Sequence, residues 1–122
     1  MTISLSILFT LLTMHYICDF LLQSDKMAKG KSSSMELLTL HVTAYSIPFA
    51  LMFGPLYGAV NFFLHMLVDF FTSRVTKKLF AKNEHHWAFA VIGFDQLLHY
   101  ACLIGTVSLV QFGGVWQALG IE

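Results

Sequence analysis

A histidine and a carboxylate four residues apart occur three times in this chain, always within an apolar stretch: His15 with Asp19, His65 with Asp69 and, in reverse order, Asp95 with His99. On a helix that spacing puts both side chains on one face, one turn apart. Neutral imidazole and carboxylate are the usual ligands of Zn, Mn and non-haem Fe, and they also serve as general acids and bases. His41 adds a fourth imidazole in another apolar stretch. The candidate ligands are therefore His15, Asp19, His41, His65, Asp69, Asp95 and His99, for one or two divalent transition-metal ions (Zn, Mn or Fe). Asp19, Asp69 and Asp95 are the candidate catalytic carboxylates, and which is ligand and which is base stays open. Asn61 and Tyr45, each one turn from a histidine, are candidate substrate contacts unless they bond each other.

The segments that carry these residues are those of a membrane protein. Apolar residues make up 57% of the 122 and charged ones only 11%, against about 45–50% and about 25% in soluble domains. The length suits one domain, residues 1–122. Residues 3–22, 35–53, 56–73 and 87–112 are four apolar stretches, each near the ~20 residues that a bilayer core requires. They predict an all-α fold, a four-transmembrane-helix bundle running up-down-up-down. Residues 23–34 and 74–86 are the polar loops, Gly54-Pro55 is an uncharged turn, and Gly113-Gly114 sets off a tail over 115–122. All seven Lys and Arg fall in the two polar loops, which places those loops in the cytoplasm and both termini outside. A bacterial inner membrane, crossed several times, is the expected location. No basic residue precedes Lys26, unlike a cleaved signal peptide. Trp87 and Trp116 fall at span ends, as aromatic belts do. Cys18 and Cys102, both in apolar stretches, suggest no disulfide framework.

This topology gives the histidines and aspartates a common depth. His15, Asp19, His65 and Asp69 lie late in spans that enter the cytoplasmic side, and His41, Asp95 and His99 lie early in spans that leave it. At 1.5 Å per residue they occupy a slab about 10–15 Å thick in the inner half of the bilayer. Self-neutralising pairs that join helices are the plainer reading, but they do not account for the shared depth. Lys29, Lys31, Lys77 and Lys78 stand at the mouth of the slab. They could hold a lipid or nucleotide phosphate, or serve only as topology signals. His85-His86 is read as an ordinary interfacial pair.

His15-x3-Asp19-Phe20-x2-Gln23, His41-x3-Tyr45, Asn61-x3-His65-x3-Asp69 and Asp95-Gln96-x2-His99 resemble an uncharacterised family of small bacterial and phage membrane proteins, a domain of unknown function. The resemblance covers nearly the whole chain and implies four membrane helices without an established activity. A more distant likeness is to predicted inner-membrane metal-dependent hydrolases, whose intramembrane His and Asp residues are their expected ligands. Three functions follow: a metal-dependent hydrolase of a lipid-linked or phosphorylated substrate, an ion, proton or metal transporter subunit, and a non-catalytic membrane interaction protein. The expected partners are membrane lipids and a second copy or another membrane protein, with no nucleic acid.

Overall fold

The structure, a computed structural model, describes residues 3–120, with the backbone alone for 110–112. Helices α1 (Leu5–Tyr16), α2 (Asp25–Gly30), α3 (Met35–Phe53), α4 (Pro55–Ala81), α5 (His85–Gly105) and α6 (Gly114–Leu119) follow in order, and no strand occurs among the described residues. Three serines begin the first three. The hydroxyls of Ser4, Ser24 and Ser34 accept from the backbone N–H groups of Ile7, Met27 and Leu37 at 3.2, 3.2 and 3.3 Å, satisfying donors that a helix start leaves free. Pro55 opens α4, where its missing N–H costs nothing. α1 runs directly into one π-helical turn, Ile17–Leu21, and α5 passes into a 3₁₀ segment, Val107–Phe112.

Several boundaries differ from expectation. The second polar loop is mostly helix, because α4 continues through Arg74, Lys77 and Lys78 to Ala81. Lys, Arg and Leu are good helix formers and no Gly or Pro intervenes. Polarity there marks a change of surroundings, not a helix end. The first polar loop contains α2, none of whose residues is buried. The tail folds back as α6, which buries Trp116 beside Phe53, with ring centroids 5.5 Å apart. Trp116 is therefore a core residue, whereas Trp87 is exposed. Gly114, at φ +86°, permits this return: a β-carbon there would collide with the backbone of Met52 and Gly54.

α3, α4 and α5 pack in succession, and α1 lies against α3 and α5. The end where α3 turns into α4 is filled by Leu11, Phe49, Phe53, Tyr57, Leu103 and Trp116. There the Tyr57 hydroxyl donates to the Leu103 carbonyl at 2.8 Å. The outer face is apolar, with Leu5, Phe9, Leu51, Phe63, Phe89 and Leu97 all exposed. Met35–Phe53 and His85–Leu109 are long and apolar enough to cross a bilayer, and Leu5–Leu21 is apolar but shorter. The fold is thus all-helical with two such helices, and the four-span arrangement goes beyond this.

α3 and α4 touch most closely at Gly58, where a β-carbon would meet the side chain and backbone of Ala50. Gly58→Ala should therefore destabilise by about 1–3 kcal/mol, as overpacking does. Gly93 on α5 has nothing within 4 Å of that position, so Gly93→Ala should be neutral or stabilising by up to about 1 kcal/mol. Thermal unfolding of both variants in detergent checks the contrast, and equal losses would contradict it.

Candidate metal centre

Three helices and one π-helical turn bring the polar groups together. The π-helical turn after α1 carries Asp19, α3 carries His41, α4 carries His65 and Asp69, and α5 carries Asp95 and His99. A π turn admits an extra residue into the helix and often marks functional positions; here it holds Asp19 inward, 4% exposed. His41, His65, Asp69 and His99 are buried as deeply.

Asp19 Oδ1, His41 Nε2, His65 Nε2 and Asp69 Oδ2 form one compact group. His41 Nε2 lies 3.0 Å from Asp19 Oδ1, 3.2 Å from Asp69 Oδ2 and 3.2 Å from His65 Nε2. His65 Nε2 lies 3.5 Å from Asp19 Oδ1 and 3.4 Å from Asp69 Oδ2. Ligands bonded at 2.0–2.1 Å to a tetrahedral zinc ion are about 3.3–3.4 Å from one another. If both imidazoles carry their proton on Nε2, each can donate to a carboxylate oxygen, but the two N–H groups then face each other at 3.2 Å. Asp19 Oδ1 is buried without an aligned hydrogen bond. A cation among the four would take a lone pair from each, so the residues fit a metal. The Nδ1 atoms of His41 and His65 have no partner among the described residues, although metal-bound imidazoles ordinarily donate from that nitrogen.

His15 stands outside this group. Its Nδ1 meets the Tyr45 hydroxyl at 3.0 Å, and its Nε2 lies 2.6 Å from Gln96 Oε1 and 3.5 Å from Asp19 Oδ2. It therefore braces Asp19. Asp95 and His99 form an adjoining group: His99 Nε2 lies 3.2 Å from Asp95 Oδ2 and 3.1 Å from Asp69 Oδ1. Thr72 donates to Asp95 Oδ1, and Gln96 Nε2 donates to Asp95 Oδ2 at 3.2 Å.

A cavity of ≈ 450 Å³ opens on one side, bordered by Asp19, Asp69 and Asp95 and by Lys29, Lys31 and Lys77. Lys31 reaches furthest in, donating to Asp69 Oδ2 at 2.8 Å. Burial opposes its charge, but the carboxylates of Asp69, Asp19 and Asp95 outweigh burial and hold its pKa above the ordinary lysine range. Lys78 does not line the cavity. Tyr45 and Asn61 do not reach it either, and they do not bond each other. Tyr45 lies against the His65 ring at 3.8 Å between centroids, and Asn61 donates to the Tyr57 carbonyl and to Thr106 Oγ1 at 3.1 and 3.0 Å. His85 and His86 are exposed at the start of α5. Thr72, Gln96 and Gln23, which line the cavity, were not foreseen as site residues. Thr72 could have been, since it follows Asp69 by three on the same helix face.

The chain belongs to the family described as protein of unknown function (DUF3307), whose pattern it matches over residues 7–119. No curated protein and no solved structure matches it, so the expected distant likeness to metal-dependent hydrolases has no counterpart there.

His65→Ala should abolish tight binding of Zn, Mn or Fe by the purified protein. His15→Ala, which removes a brace and not a ligand, should weaken it by about 10–100-fold. Competition with a chromogenic chelator checks both, and unchanged affinity in His65→Ala would contradict the assignment.

Proposed function

We propose that this protein is a membrane-embedded metal-dependent hydrolase acting on an anionic, phosphorylated substrate, lipid-linked or amphipathic, at the cytoplasmic face of a bacterial inner membrane. The observation that carries it is the group of four buried ligand atoms, all within 4.8 Å of one another, beside a cavity lined by lysines. The membrane part is supported by an inverted distribution of polarity. Large apolar side chains cover the outside, while His15, Asp19, His41, His65, Asp69 and His99 fill the inside, as expected where the solvent is lipid. In this reading α1 with its π turn, α3, α4 and α5 all span, and the lysine-bearing ends of α2 and α4 face the cytoplasm by the positive-inside rule.

A bound divalent ion would lower the pKa of a water toward ~7 and polarise the scissile phosphoryl oxygen. Asp19, His41, His65 and Asp69 would hold it. Lys29, Lys31 and Lys77 receive the phosphate, and Asp95, at the cavity wall outside the four-ligand set, acts on the attacking water. As the water oxygen bonds to phosphorus Asp95 takes the water's proton, the ester P–O bond breaks, and the same carboxyl returns that proton to the departing alkoxide. Apolar wall residues such as Phe20, Phe80 and Ile92 suit an acyl or prenyl chain. Transport is less well supported, because Phe49, Phe53, Tyr57 and Trp116 fill the bundle beyond the cluster.

Protein loaded with Zn or Mn should release phosphate from p-nitrophenyl phosphate or dioctanoyl phosphatidic acid. Asp95→Asn should lower kcat by about 10²–10⁴-fold, and Lys31→Met should mainly raise KM. Absence of turnover on every phosphate ester tried with metal-loaded protein, or equal turnover in Asp95→Asn, would contradict the proposal.

A further inference from the structure

Asp69 divides its two carboxylate oxygens between two sets of groups. Oδ2 faces His41 and His65 at 3.2 and 3.4 Å, and Oδ1 faces His99 at 3.1 Å. His99 in turn lies 3.2 Å from Asp95 Oδ2. Asp19 belongs to both sets, since ligand atoms of Asp19, Asp95 and His99 also lie within 4.8 Å of one another. Asp19 Oδ1, 3.0 Å from His41 Nε2, is buried without an aligned hydrogen bond. The His65 and His99 rings are stacked, 12° from parallel with centroids 3.9 Å apart, and their Nε2 atoms face different oxygens of the Asp69 carboxylate.

We infer that Asp95 and His99, with Asp19 and Asp69 shared, hold a second divalent cation beside the first. The inference rests on the metal-dependent reading above and specifies how Asp95 acts on the water, as a ligand of the ion at the cavity wall. Charge agrees with a phosphate substrate. Three carboxylates and the Lys31 ammonium leave two negative charges when the imidazoles are neutral. One divalent ion cancels them, and two leave an excess of two positive charges, which a phosphate dianion offsets. Thr72 holds Asp95 through Oδ1, and Gln96 Nε2 donates to the Oδ2 that faces His99.

Metal content per chain, measured by mass spectrometry after saturation with Mn and removal of the excess, tests this. The wild type should hold two equivalents, and His99→Ala and Asp95→Asn one each. The coupled Mn signal in electron paramagnetic resonance should give way to that of an isolated ion in both variants. Asp95→Asn keeps the side-chain shape, so it decides the matter if His99→Ala fails to fold. A wild type with one equivalent, or variants with unchanged content, would overturn the second ion and leave the first. A wild type with none would remove the first as well, and with it the proposed function.

Discussion

Three carboxylates packed against four imidazoles inside an apolar bundle require a positive charge among them. Removing an ion from water costs several kcal/mol even after relaxation, and attraction offsets that only when the remaining lone pairs are met. Lys31 provides one ammonium, on Asp69. It leaves Asp19 Oδ1 without an aligned hydrogen bond and His41 Nε2 facing His65 Nε2 at 3.2 Å. A divalent cation answers both deficits at once, and much of the rest of the bundle can be understood as holding its ligands still. The π turn holds Asp19 inward, His15 braces it through Tyr45 and Gln96, and the aromatic packing around Phe53 closes the far end.

The helical class and the convergence of the cluster were legible in the sequence. His65 and Asp69 share a face because the helix repeat puts residues four apart together, and both meet His41. Depth was inferred from where Lys and Arg fall along the chain. Helix ends were less legible: composition changes at Arg74, but the backbone has no reason to stop there. The return of the tail depended on Gly114 and on a contact distant in sequence, so Trp116 resembled a belt residue until its packing was known.

Within the site, the residue types were readable and their roles were not. His15 has the same spacing to Asp19 as His65 has to Asp69, yet it turns toward Tyr45 and Gln96 instead of into the four-atom group. Tyr45 and Asn61 continue the faces of His41 and His65, but one turn displaces each by about 5.4 Å, away from the cavity. Lys31 differs from Lys78 only in what its backbone position lets it reach. Such distinctions depend on helix rotation and offset, which periodicity alone does not determine.

Nothing in the fold requires a bound metal to be the reacting species, but the cavity places the Lys31 ammonium against the candidate ligand Asp69. Coordination is therefore the point on which the functional reading turns. X-ray absorption at the metal edge of Zn-loaded protein tests it most directly. The account predicts a shell of nitrogen and oxygen near 2.0–2.1 Å with no sulfur. Outer scattering should correspond to two imidazoles per ion at the first site and weaken in His41→Ala as one of the two is removed. A shell of oxygen alone, or a spectrum unchanged by His41→Ala and altered instead by replacing His85 and His86, would contradict it.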